Sequence, residues 1–381
     1  SAYNVAVGHN AGTAVTTGDL NTIIGGLAGD ALTTGDRNVA LGYLALSTED
    51  AGSRNVAIGA EALKSQDGGS YNVAVGDSAA ENLTTGGENT IIGGLAGDAL
   101  TSGANNVAVG YLSLSTEDGH GRNVAIGAYA LKEQNAGAEA YNTAVGYQAG
   151  KEITTGTGNT LIGGFAGDAI TTGTNNTAIG RSALTSEDGH GFNVAVGTFS
   201  LLNLNAGDNA FNTAVGYGSG ENLTTGTSNS ILGGQAGDAL TTGSFNMAIG
   251  RNALTAETGA NRSTAIGYFA LSSQNKGSGD ANNIAIGHSA GQNVTTGIQN
   301  VIIGNNAGDA LTTGGENVVL GYFALTEEDE HGKNTAIGAR ALSTQNAGAD
   351  AINTAVGYYA GLSMTTGVSN TILGGQAGDA L

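Results

Sequence analysis

Apolar positions recur along this chain in short bursts, set neither at helical intervals nor in long alternating runs. The pentad Asn-x-Ala-(Val/Ile/Leu)-Gly, with a larger aliphatic residue sometimes replacing its Ala, opens at Asn4, Asn21, Asn38, Asn55 and Asn72 and keeps that step along the chain except where a unit runs longer, as between Asn123 and Asn142. It continues to a shortened last unit at Asn370. That makes 22 units, with the pentad Gly in all of them (Gly8 to Gly374) and the Asn in 21, Ser263 being the exception. The segments between glycines are too short for helices and rich in Val, Ile and Thr, which predicts strands. In Asn4-Val5-Ala6-Val7-Gly8, alternation puts Val5 and Val7 on one face and Ala6 on the other. Both faces are apolar, one bulky and one small, so the strand is expected to be covered on both sides, with the small face against a neighbouring chain. The glycines are expected at turns with positive φ, and the asparagines in stacked hydrogen-bonded ladders.

A longer period lies over the first. Units fall into sets of four, and equivalent blocks begin at Asn4, Asn72, Asn142, Asn212, Asn283 and Asn353. The first two units of a block follow the pattern of Ala28–Gly35, AGDALTTG, and the other two follow Tyr43–Asp50, YLALSTED. The apolar anchor of the second half therefore comes late in the first pair (Val15, Leu32) and early in the second (Leu46, Leu63). This half is expected to form a second short strand. Blocks differ in length only at the end of the fourth unit, as at Asn135–Tyr141, which marks a solvent-facing corner. The fold expected is all-β: a parallel β-solenoid (β-roll) of about 22 coils of about 17 residues in four-coil blocks of about 70. Residues 1–381 then form a single continuous array, part of a longer chain or filament.

Composition narrows this further. Gly supplies 67 of 381 residues, while Pro, Cys and Trp are absent. So much Gly argues against ordinary helices, and the lack of Pro and of a strict three-residue repeat excludes collagen. A 40% hydrophobic content at fixed spacing argues against disorder. The formal charge of −20, from 12 basic and 32 acidic residues, disfavours nucleic acid and anionic membrane surfaces. No apolar run is long enough for membrane insertion.

The pentads NVAIG and NTAVG resemble the head repeats of trimeric autotransporter adhesins. The longer pattern NTAVGYQAGKEITTGTGNTLIGGFAG (Asn142–Gly167) looks similar to repeats of bacteriophage tail fibres and bacterial tail-fibre-domain surface proteins. The resemblance covers essentially the whole chain, although the adhesin head unit is shorter than the unit repeated here. It implies a left-handed parallel β-roll in a homotrimer and a non-enzymatic extracellular fibre, as an adhesin shaft or head on a cell surface or virion. Its partners would be identical chains and a host glycan or receptor. A monomeric solenoid polymerising end to end into a surface filament is the alternative.

Three constellations are candidates for chemistry. The corners TEDGHG (Thr116–Gly121), SEDGHG (Ser186–Gly191) and EEDEHG (Glu327–Gly332) bring acids and a histidine together in sequence. Glu117, Asp118 and His120, with Asp188 and His190, are candidate ligands for a divalent cation against the simpler reading of an exposed charged corner. The stretch GGLAGDAL (Gly25–Leu32) approaches the nonapeptide of calcium rolls and makes Asp30 and Asp98 candidate calcium ligands, though only once per block rather than on successive turns. No other cofactor is implied. The tyrosines after the pentad Gly, such as Tyr43, Tyr111 and Tyr147, are candidate sugar platforms. Acids that recur with the repeat give no unique carboxylate pair for hydrolysis, so no catalytic residue is expected. The Thr doublets, such as Thr33-Thr34, yield to other sequences in half the coils and make no continuous ice-binding lattice.

Overall fold

The computed structural model describes residues 3–379, and the chain divides after Gly191 into two compact units. Each is a stack of β-coils. The first unit holds eleven three-residue strands, from β1 (Val5–Val7) to β11 (Thr177–Ile179). The second begins with β12 (Val194–Val196) and also carries eleven, ending at Thr371–Leu373, plus one short pair formed by Ala260–Asn261 and Gly279–Asp280. Within a unit, each strand pairs in parallel with that of the next coil, position for position, as in Val5↔Thr22 and Ala6↔Ile23. The offset equals the pentad step and stretches at fourth coils, as in Val124↔Thr143 and Thr264↔Ile284. The extra residues sit outside: Gly137, Ala138 and Glu139 are exposed, as expected of that corner.

The asparagine ladder is present as read. Asn38 donates its main-chain N–H to Asn21 Oδ1 at 2.8 Å, and its side-chain amide closes its own coil by donating to Gly52 O at 2.8 Å. The same pair of bonds recurs at Asn55, Asn72 and Asn89. These side chains are almost wholly buried. Each satisfies a buried N–H of one coil and a buried carbonyl of another, which otherwise would cost about 1–3 kcal/mol apiece. At Ser263 the shorter side chain accepts from Gln274 Nε2 at 2.8 Å.

The pentad glycines lie at φ between +124° and +149°, and within each unit, from Gly8 to Gly163 and from Gly197 to Gly357, each packs directly on its counterpart in the next coil. Other turns use the left-handed region largely without glycine. The residue before most pentads and the second residue after the pentad Gly take φ near +55°, including Leu27, Arg37 and Leu44. Such non-glycine residues cost about 1–2 kcal/mol each. Bonds to the preceding coil hold them there: Leu27 N–H donates to His9 O at 2.8 Å and Arg37 N–H to Asp19 O at 2.9 Å.

Two expectations are corrected. The second half of the coil is not a strand, apart from the short pair in the second unit; it is a series of turns whose N–H groups reach carbonyls of adjacent coils. Its left-handed residues interrupt the extended backbone that a strand needs. The strand faces are also reversed. The small central residue points into the coil, where Ala40, Ala57 and Ala74 are buried, and the bulky flanking residues point outward. The coil is too narrow for β-branched side chains from every position. Ala at the pentad and Ala45 or Ala62 after it leave room, as a rule, for one Leu-sized anchor per coil, the coil of Leu201 and Leu204 holding two.

That anchor moves as the sequence suggested. In first and second coils it is the twelfth residue of the unit (Leu32, Leu83, Leu100), and the ninth is Gly or, at Ala80, Ala. In third and fourth coils the ninth residue is the buried Leu (Leu46, Leu63, Leu114, Leu131). The two choices compete for space, since a Cβ at Gly97 would already lie 2.9 Å from Leu100 Cδ1, and among the described residues only the coil with Leu201 and Leu204 buries Leu at both positions. A larger pentad residue in the second coil takes up the remaining space, as Ile23 does over Gly12 and Gly29.

Candidate functional site

With Leu at the ninth position, the twelfth is released from apolar duty but still points inward. In five blocks it is Glu in the third coil (Glu49, Glu117, Glu187, Glu257, Glu328) and, with Leu204 the exception, Gln in the fourth; all are fully buried. The corner is therefore not simply an exposed charged turn. Asp118 and Asp188 are exposed as expected, but Glu117 and Glu187 belong to the interior. The sequence signal was available: these Glu residues stand in register with Leu32 and Leu100 of neighbouring coils.

The Glu carboxylate ties down the turn that follows it. Glu117 Oε1 accepts the His120 N–H at 3.1 Å, Glu187 Oε1 that of His190 at 3.1 Å, and Glu328 Oε1 that of His331 at 3.2 Å. Each His Nδ1 lies 3.3–3.6 Å from the same oxygen. The other oxygen, Oε2, is buried without a hydrogen-bond partner among the described residues, and so is each Nδ1. The structure thus gathers Glu117 with Asp118 and His120, Glu187 with Asp188 and His190, and Glu328 with Asp329 and His331. Within each trio the ligand atoms lie within 4.8 Å of one another. A fourth group, Glu49 with Asp50 and Asp67, spans two coils and was not read from the sequence.

Burial pushes the carboxyls of Glu117, Glu187 and Glu328 up from the ordinary value, opposed by the His N–H bond and by the histidine's charge. An acid raised in the folded state contributes stability that is complete below its unfolded pKa. That contribution is lost as pH rises through the folded value. In chelator-treated protein, replacing all three Glu by Gln is therefore expected to flatten the fall in denaturation midpoint from weak acid to neutrality, and to leave the variant more stable than wild type at pH 7. Parallel pH profiles for the two proteins would contradict this.

Asp30 and Asp98 belong to none of the ligand-bearing trios among the described residues. Burial raises the carboxyl of Asp98, opposed by main-chain N–H groups of its own turn, as it does those of Asp168 and Asp309 at equivalent corners.

The second candidate feature is the outward strand face. Its two rows, Val, Thr, Ser, Met or Ile in the first and Val, Ile or Leu in the second, contain no charged residue in any of the 22 coils. They are half-buried to exposed, with Leu41, Ile92, Ile126 and Ile162 all near 40% exposure. Aromatic residues border this face. Tyr111, Tyr129, Tyr147 and Phe165 on successive coils form an edge-to-face row with ring centroids 5.4–6.1 Å apart, while Arg54 stacks 5.0 Å over Tyr71. Tyr43, Tyr217, Tyr322 and Tyr358 are exposed at the same place in their coils. No family model, curated protein or solved structure matches the chain. The coil geometry is that of a parallel β-roll repeat protein, and the outward face and the Glu corners are the features from which function has to be argued.

Proposed function

We propose that this chain is a non-enzymatic structural protein that associates laterally with identical chains, as a parallel homotrimer, to build the shaft or head of an extracellular fibre. The observation that carries this reading is the uncharged aliphatic face. A chain with 44 charged residues, 12 basic and 32 acidic, places none of them on 44 outward strand positions, two in each of 22 coils. In each unit two such side chains on each of eleven coils make one continuous uncharged face, half-buried to exposed and aliphatic throughout its second row. A contiguous face of this kind, unlike apolar residues scattered singly over a surface, marks an interaction site.

Identical chains are the occupants that fit best. Their rows have the same repeat of about 4.8 Å, so aliphatic side chains of one copy seat between those of another along the whole face. Like charge elsewhere keeps other surfaces apart. The aromatic borders remain at the rim of such an interface, where repeated rings offer weak multivalent contacts to a surface glycan. The resemblance to adhesin heads and tail fibres supports the extracellular setting.

The test is mass in solution. Sedimentation equilibrium at micromolar concentration is expected to give three chains per particle. The triple variant Ile92→Glu, Ile126→Glu, Ile162→Glu, altered only on the outer face, is expected to sediment as a folded monomer. A wild-type monomer would sink the reading, and a series of ever larger species would favour end-to-end polymerisation.

A further inference from the structure

The Glu corners carry a second inference, which does not rest on lateral association. Position by position, Glu117-Asp118-Gly119-His120 repeats as Glu187-Asp188-Gly189-His190 and as Glu328-Asp329-Glu330-His331. In each, a fully buried carboxylate has one oxygen fixed by the His main-chain N–H and the other without a partner, and the imidazole Nδ1 beside it is also unpartnered. Buried polar atoms left in this state cost stability, and two of them within one trio of ligand-bearing side chains call for a group that pairs them.

The chain supplies its own comparison. Glu257 occupies the same slot but is followed by Thr258, Gly259 and Ala260, with no histidine. Its Oε1 accepts from Gly259 and Ala260 N–H at 3.0 and 2.8 Å. Its Oε2 accepts from Gln274 Nε2 and Lys276 N–H at 3.0 and 3.1 Å. Of the two Glu corners without a histidine, Glu257 is thus fully paired, whereas Glu49 takes all its bonds on Oε1 and leaves Oε2 without a partner. At Glu117 the fourth-coil amide does not serve the carboxylate, since Gln134 is engaged by Thr154 O and Asn142, and the block of Glu187 carries Leu204 in place of an amide.

We propose that each of these three corners binds one divalent cation of the zinc class, ligated by Glu117, Asp118 and His120, by Glu187, Asp188 and His190, and by Glu328, Asp329 and His331, with water completing the shell. The donor set selects the class. Two carboxylates and an imidazole suit a borderline first-row ion, whereas calcium takes six to eight oxygens. Ligands about 2.0–2.1 Å from a tetrahedral ion stand about 3.3 Å apart. The Nδ1 to Glu Oε1 separations of 3.5, 3.3 and 3.6 Å are close to that, this oxygen keeping its His N–H bond, and the 4.0 Å between His190 Nδ1 and Asp188 Oδ1 needs only a small turn of an exposed side chain.

The experiment uses the untagged full chain stripped with chelator, because a histidine tag would mask the result. Calorimetric titration with Zn²⁺ is expected to show three equivalents per chain and a raised melting temperature, with Ca²⁺ at the same concentration doing neither. The variant His120→Gln, His190→Gln, His331→Gln should lose those equivalents and the zinc-dependent rise. Changing the other two histidines, His9→Gln and His288→Gln, should leave both intact. If the corner variant fails to fold, Asp118→Asn, Asp188→Asn, Asp329→Asn on the outer side of the corner tests the same ligation, with an expected loss of at least tenfold in affinity. Absence of saturable uptake, uptake unchanged in a folded corner variant, or a response to Ca²⁺ in place of Zn²⁺ would overturn the proposal.

Discussion

Gly93→Ala is expected to abolish the ordered stack around its coil, while Gly137→Ala is expected to cost about 1 kcal/mol or less. Both glycines have positive φ, +136° and +67°, so backbone preference alone does not separate them. Surroundings do. A Cβ at Gly93 would meet Gly110 O at 2.5 Å and Gly110 C at 2.6 Å, whereas one at Gly137 meets nothing within 4 Å. The obstacle at Gly93 is main chain held by strand pairing on both sides, so relief requires the coils to separate there. The loss is expected to exceed about 4 kcal/mol, beyond the usual range for a point substitution. Soluble yield and far-ultraviolet circular dichroism would show it; a Gly93→Ala protein with a wild-type melting curve would refute the stacking argument.

The second large effect is expected at Asn89→Ala. Asn89 is fully buried, its Oδ1 accepts the Asn106 N–H at 2.9 Å, and its Nδ2 donates to Gly103 O at 2.9 Å and to Asn72 Oδ1 at 3.1 Å. Truncation strands an N–H and a carbonyl in the interior, at a combined cost of about 3–5 kcal/mol. Asn89→Ser is expected to recover little. The serine at position 263 works beside Gln274, but the corresponding partner slot in the Asn89 coil holds Leu100. Urea denaturation of the three proteins would measure the differences, and a loss below about 1 kcal/mol for the Ala variant would mean that the ladder adds little. Because coils interact chiefly with neighbours, a local unfolding signal such as hydrogen exchange should place the damage near Asn72–Asn106.

Much of this arrangement was legible because translation repeats the same physical problem. A residue that must satisfy its counterpart one coil away has to recur at the coil spacing, so the Asn and Gly columns announced themselves. The alternation between Leu32 and Leu46 types of anchor was visible for the same reason. The direction of the strand faces was not. Alternation separates Val5 and Val7 from Ala6, but which set faces inward depends on the width of the coil, and that is fixed by turns distant in sequence. The left-handed turns left no signature either, since Leu27, Arg37 and Glu88 are held there by bonds from adjacent coils rather than by residue preference. Glu117 reads as surface because its neighbours in sequence are polar; its position in the column, under Leu100, is the better guide.

The short rise and long contour of the coil have a mechanical consequence. Each coil takes up about 4.8 Å of the stacking direction, yet its chain of about 17 residues spans roughly 58 Å when drawn out. A terminal coil pulled away from its unit thus surrenders about twelve times the length it occupied, after breaking one rung of main-chain bonds and one Asn contact. Because the rungs are nearly equivalent, tension is relieved one coil at a time, and the coils still stacked keep their bonds. Within each unit the repeat acts as a reel of spare length.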